Sequence, residues 1–88
     1  LKKLLKKLLK MNKNLEILQE IFLEEFVISS EQVIPEANLE EDLGLDSLDQ
    51  VKLCFEVEKV CETRVTDDEW SGIKTVDDLL RIMDNKTS

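Results

Sequence analysis

The sequence predicts a small all-α bundle of three main helices plus one short helix, with a long first loop and an N-terminal amphipathic helical extension. Three observations predict it. Two glycines and one proline are the only strong breakers in 88 residues, too few for a chain of many turns. Apolar residues recur at steps of three and four over three separate stretches. No convincing run of alternating apolar and polar residues marks a strand. A chain of this length makes one domain with a modest core.

The first helix of the domain is predicted over residues 14–27. Leu15, Leu18, Phe22 and Phe26 line one face, Ile17 and Ile21 widen it, and Glu16, Glu20 and Glu24 stack opposite. Residues 28–46 form a long connection broken by Ser29-Ser30, Pro35 and Gly44, with Val33, Ile34, Leu39, Leu43 and Leu45 as anchors onto the core. The second long helix is predicted over 47–62, with Asp46 as N-cap and Asp49 completing a capping box. Leu53, Val57 and Cys61 step by four along its buried face, with Cys54 and Val60 beside them. Leu48, Val51 and Phe55 fall on an adjacent face, more apolar surface than a one-sided helix needs. Thr66-Asp67-Asp68-Glu69 opens a short helix that contains Trp70 and ends at Gly72. Thr75-Val76-Asp77-Asp78 then opens the last helix, whose apolar set is Val76, Leu79, Leu80, Ile82 and Met83.

Composition excludes several function classes. The absence of histidine removes Ser–His and Cys–His nucleophilic pairs and the HExxH zinc motif together. The net charge of −8 conceals an asymmetry: residues 1–10 hold five lysines and no acid. Residues 11–88 carry 20 acidic against 7 basic residues, a balance of −13. Such a surface repels nucleic acid and anionic lipid and steers toward basic protein partners. Cys54 and Cys61 stand seven residues apart on one predicted helix, about 10 Å of rise and too far for a disulfide. With no export signal, they read as two packed, reduced thiols in a cytoplasmic setting. Nothing completes a four-ligand zinc set, so no metal site is expected.

Residues 1–10, LKKLLKKLLK, place leucine at 1, 4, 5, 8 and 9 with helical period. They are too short and too charged for a membrane span or a signal peptide. The two-letter composition reads as an engineered extension before a domain at 11–88, because Met11-Asn12-Lys13 has the form of a native start. Leu1, Leu4, Leu8, Met11, Leu15, Leu18 and Phe22 continue one stripe, so a single helix through residue 26 is open. Asn12 and Asn14, weak helix formers, are the alternative N-caps. Projecting leucines without a core of their own are expected to pair with another copy or with a lipid surface.

The most informative stretch is Glu41-Asp42-Leu43-Gly44-Leu45-Asp46-Ser47-Leu48-Asp49. A serine after an N-cap aspartate is, by itself, ordinary helix-start chemistry. A calcium loop does not fit, since the D-x-[DN]-x-[DN]-G spacing is absent and leucines occupy places a cage would need. In its setting the stretch closely resembles the acyl carrier protein family, over about Asn14 to Met83. The specific part is Gly44-Leu45-Asp46-Ser47-Leu48 after an amphipathic helix and a long loop. Val65-Thr66-Asp67-Asp68-Glu69 and Ile73-Lys74-Thr75-Val76 match the openings of that family's third and fourth helices.

The resemblance implies that Ser47 is esterified with 4′-phosphopantetheine by a separate phosphopantetheinyl transferase, and that the arm carries acyl groups as thioesters. A phosphodiester at the first turn of a helix meets unpaired N–H groups and the positive end of the dipole. The resemblance also assigns docking of acyl-chain synthesis and transfer enzymes with basic patches to Asp46, Leu48, Asp49, Val51, Phe55 and Glu58. It assigns the acyl pocket to Leu53, Cys54, Val57, Val65, Trp70, Ile73 and Leu79. Lys52 and Lys59 depart from the acids usual on that helix, which points to a specialised partner set. Trp70 stands where the family commonly has a small residue and would disfavour long chains if it fills the pocket.

The expected function is therefore an acyl carrier, not an enzyme, serving fatty-acid or related lipid or polyketide synthesis. Peptidyl or D-alanyl carriers share the scaffold. A helical interaction module, with Ser47 only a helix-start residue, and a membrane-active peptide fusion built on residues 1–10 are the rivals from other classes.

Overall fold

The computed structural model describes the backbone of residues 2–87 and the side chains of residues 2–5 and 13–86. Four helices follow in order: α1 (Lys2–Phe26), α2 (Ser47–Cys61), α3 (Asp67–Ser71) and α4 (Val76–Thr87). No strand occurs among the described residues; one isolated bridge joins Asn38 to Thr75.

The stretch predicted over 14–27 is the C-terminal part of a longer helix. α1 runs unbroken through Asn12 and Asn14, which decides for the single continuous helix over a start at either asparagine. Asn14 lies on the same inward stripe as Leu18 and Ile21, so register buries it, and its Nδ2 has no hydrogen-bond partner among the described residues. Leu4 lies exposed, whereas Leu15, Leu18 and Phe22 pack in or against the core. The side chains of Leu1, Leu8 and Met11, predicted for the same stripe, lie outside the described residues. The helix stops where Val27 turns left-handed at φ 54°, and the Ile28 N–H reaches back to the Phe22 carbonyl at 3.0 Å.

α1, α2 and α4 pack pairwise around one core. Leu18 and Phe22 meet Leu53 and Val57 of α2 and Val76, Leu79 and Met83 of α4 within it. Val33, Leu39, Leu43 and Leu45 anchor the long loop as predicted, and Ala37 joins them. Ile34 does not: it is exposed, because Val33 beside it takes the inward position.

Backbone hydrogen bonds order this loop as much as its apolar anchors do. The first N–H groups of α4 have no acceptor inside the helix. Here Val76 donates to the Ala37 carbonyl at 3.0 Å and Asp77 to the Pro35 carbonyl at 2.9 Å. Leu39 N–H donates to the Lys74 carbonyl at 2.9 Å, and the Asn38 side chain accepts from Glu40 and Glu41 N–H, each at 2.9 Å. Gly44 adopts φ +69°, a left-handed turn that directs the chain into α2 at little cost for a residue without Cβ.

The helix starts are closed by side chains. Thr66 and Glu69 form a reciprocal capping box at α3, and Lys86 from α4 holds the Glu69 carboxylate at 3.0 Å. Asp78 accepts from Lys74 N–H at 3.0 Å and Thr75 N–H at 3.1 Å. These contacts lower the Asp78 carboxyl below the ordinary aspartate value, the Lys74 N–H first, against a smaller opposing effect of burial. Glu69 is lowered likewise, by the Thr66 N–H and then by Lys86. A carboxyl lowered in the folded state adds stability that is complete above its unfolded value and is lost as pH falls through the folded one. Stability should therefore decline below about pH 5, and Asp78→Asn should flatten that acid limb. Urea midpoints across the pH range measure it; parallel curves for parent and variant would count against the assignment.

Candidate functional site

The site is assembled at the start of α2. Asp46 holds extended backbone geometry, and its side chain accepts from the Asp49 N–H at 2.8 Å while the Asp46 N–H donates to Asp49 Oδ2 at 3.2 Å. This reciprocal box fixes where α2 begins, and so fixes Ser47 as its first residue. Ser47 is exposed. Its N–H and that of Leu48 have no acceptor within the helix, which leaves two donors and the positive helix end beside the Ser47 hydroxyl.

Ser47 opens onto a cleft of about 480 Å³ between α2 and the segment that carries α3. Gln50, Val51, Cys54 and Phe55 form the α2 wall, and Arg64, Val65 and Trp70 stand opposite. The lining mixes amide, carboxylate and apolar groups. That mixture suits a flexible chain of alternating amides and methylenes better than a purely hydrocarbon one. Gln50 Nε2 donates to Glu40 Oε1 at 3.1 Å, which ties the first loop to this wall. Glu58 Oε2 accepts from the Val65 N–H at 2.7 Å and pins the connection between α2 and α3.

The residues predicted for an acyl pocket divide in two. Cys54, Val65 and Trp70 line the cleft, whereas Leu53, Val57, Ile73 and Leu79 lie in the closed core behind it. Of the residues predicted for docking, Leu48 is 80%, Val51 53% and Phe55 61% exposed, at i, i+3 and i+7 on one face of α2. Asp46 is exposed beside them, and Asp49 and Glu58 are half-buried. Val51, Phe55 and Glu58 also border the cleft. Gln50 and Arg64 were not expected in the lining. Arg64 sits in a short irregular connection with no periodic pattern to place it.

Two lysines on α2 are held by acids. Lys52 Nζ lies 3.1 Å from Glu25 and 5.6 Å from the centre of the Phe26 ring, so it fastens α2 to the end of α1. Lys59 lies 3.2 Å from Glu56. Burial, then the nearby Glu58 and Asp67 carboxylates, push the Cys54 thiol up from its ordinary value. It therefore stays protonated and is a poor nucleophile toward anything bound in the cleft. Among the described residues no cluster of three or more His, Cys, Asp or Glu side chains could hold a metal ion. No helix there is long and apolar enough to cross a membrane.

A family model described as "Phosphopantetheine attachment site" matches residues 16–83. The chain belongs to the acyl carrier protein family. It is 36% identical over 74 residues to the acyl carrier protein of Thermosynechococcus vestitus, covering 84% of this chain and 91% of that one. It is 38% identical over 66 residues to acyl carrier protein 2 of Ralstonia nicotianae, covering 75% and 82%. It is 37% identical over 82 residues to the acyl carrier protein of Karelsulcia muelleri, covering 89% and 99%. The domain is one to which 4′-phosphopantetheine is covalently attached, and members of this family are carriers rather than catalysts. An exposed hydroxyl at a capped helix start, with a mixed-polarity cleft leading away from it, fits that cofactor.

Proposed function

We propose that Ser47 is the attachment point and that the chain carries acyl groups for enzymes of fatty-acid or related lipid or polyketide synthesis in the cytoplasm. The observation that carries this reading is the exposed Ser47 hydroxyl at the capped start of α2, opening directly onto the cleft. The cofactor supplies a terminal thiol that holds cargo as a thioester. The chain's own residues do the rest. Asp46 and Asp49 fix the helix start and, being acidic, face basic patches on the phosphopantetheinyl transferase and on the acyl-handling enzymes. Leu48, Val51 and Phe55 supply the apolar centre of that docking surface, with Glu58 at its far end. Cys54, Val65 and Trp70 shelter the arm and the first part of the cargo, and the closed core behind Leu53, Val57, Ile73 and Leu79 gives way for longer chains. Residues 11–88 form the carrier domain, and residues 2–10 extend its first helix as an added segment.

Incubation with coenzyme A and a broad-specificity phosphopantetheinyl transferase tests the reading. Intact-mass measurement should show one phosphopantetheine group per chain; a folded chain that gains none would refute it.

Trp70 is half-buried against the core and stands in the cleft wall; on this reading its ring is what limits the depth open to cargo. Replacing it by alanine should shield long cargo more than short. Loaded with acyl groups of increasing length, Trp70→Ala should show slower hydroxylamine cleavage of the long thioesters than the parent, and similar cleavage of the short ones. The same length profile in both proteins would remove the ring as a limit.

A further inference from the structure

We infer that residues 1–10 dock onto the exposed face of α2 on a second copy of this chain. The inference stands on surface chemistry and does not draw on Ser47 carrying a cofactor. The two surfaces match in kind and oppose in charge. Residues 1–10 repeat leucine with helical period between five lysines. The described leucines of that segment, Leu4 and Leu5, are 62% and 61% exposed, so the described residues leave most of their surface uncovered. On α2, the exposed Leu48, Val51 and Phe55 form an apolar strip, with Asp46 and Asp49 at the helix start, Glu58 on one side, and Lys52 and Lys59 on the other, engaged by Glu25 and Glu56. A basic-flanked apolar helix laid on an apolar strip of a body that carries −13 buries both strips and brings its lysines against that surplus of carboxylates.

The same chain cannot satisfy itself. The Lys52–Glu25 ion pair sets the middle of α2 beside the end of α1. Lys10 lies fifteen residues before Glu25 in one unbroken helix, about 22 Å along the axis at 1.5 Å per residue. Leu48 and Phe55 lie four and three residues from Lys52, within about 6 Å of it along α2, so residues 1–10 reach this face only on another molecule. Pairing two such segments with each other would gather ten lysines. Anionic lipid would attract the segment while repelling a body that carries −13. A second copy's α2 face meets both the apolar and the electrostatic demand.

So short a segment covers less than the roughly 1,200 Å² of a standard interface, so the association is transient and concentration-dependent. Its ionic rim is screened by salt, since the Debye length falls from about 10 Å at 0.1 M to about 3 Å at 1 M.

Sedimentation equilibrium on the full chain and two variants tests it. The parent should self-associate at low salt and weaken about tenfold or more toward 1 M. Lys2→Glu/Lys3→Glu/Lys6→Glu/Lys7→Glu and, separately, Val51→Lys/Phe55→Lys should each be monomeric. An equimolar mixture of the two variants should recover association, since one retains the segment and the other the α2 face. Self-association of either variant at the parent's strength, or a mixture that stays monomeric, would overturn the inference. So would a parent that binds anionic vesicles and stays monomeric at every salt concentration. Should the lysine pair on α2 impair folding, Val51→Ser/Phe55→Ser takes its place. Carbodiimide coupling of isotopically mixed parent chains gives an independent readout. Joining of residues 2–10 to acids of α2 between copies supports the docking, and its absence refutes it.

Discussion

Ser47→Ala should abolish phosphopantetheine loading outright while leaving the fold as stable as the parent. Alanine is the best helix former, and the first helical position makes no demand that its methyl group cannot meet. The capping box uses the Asp46 side chain and the Asp49 N–H, neither of which the substitution touches. Loss of the adduct would therefore report loss of the acceptor oxygen and not of the helix start. Intact mass after incubation with coenzyme A and transferase should stay at the unloaded value for the variant, beside complete loading of the parent. Ser71 is the built-in control, because it lines the same cleft but donates its Oγ proton to the Asp68 carbonyl at 2.7 Å. An adduct that persists in Ser47→Ala would move the attachment to another hydroxyl, with Ser71 the first to test. Near-parent urea midpoints for the variant complete the expectation.

Much of the fold is legible because side-chain pattern dictates it. The stripe through Leu15, Leu18 and Phe22, the Asp46–Asp49 box and the Thr66–Glu69 box are local signals, and each forms the element expected of it. What escaped reading has a common physical cause. The carbonyls of Pro35 and Ala37 close the start of α4, and any residue types would offer those same groups. Ala37 is buried through that backbone contact although its short side chain gives no apolar signal, while Ile34 is apolar and faces solvent. Asn14 looked like a cap because asparagine prefers helix starts. The residues before it continue the helix, so its register decides and turns it inward. At the site, the start of α2 at Ser47 and the surplus apolar face of that helix were legible from spacing, whereas a role for the Ser47 hydroxyl came only from the family resemblance. The division of Leu53, Val57, Ile73 and Leu79 from the cleft wall was not, because apolar periodicity marks a side chain as facing inward without saying whether a cavity waits there.

Phe22→Ala should produce the largest loss of stability of any single core truncation in α1. Phe22 is fully buried, in a tilted contact with Phe26 at 5.7 Å between ring centres, and belongs to the core shared by α1, α2 and α4. Truncating a buried phenylalanine to alanine costs about 3–5 kcal/mol, through lost transfer energy and the cavity left behind. Stability for 88 residues scales to about 4–13 kcal/mol, so the change removes a large share of it. At about 4–8 °C per kcal/mol for a domain this small, the thermal midpoint should fall by some 12–40 °C. Leu23→Ala on the same helix is the comparison, because Leu23 is exposed and its truncation should stay within about 0.5 kcal/mol. Urea unfolding of both variants decides the matter. A Phe22→Ala midpoint close to that of Leu23→Ala would mean the three helices do not depend on this ring. If the prediction holds, the consequence reaches the site, since α2 is held in place by the same core through Leu53 and Val57. Mild denaturant should then reduce loading of Ser47 in Phe22→Ala before it does so in the parent, because the helix that presents the hydroxyl packs on the core that this ring fills.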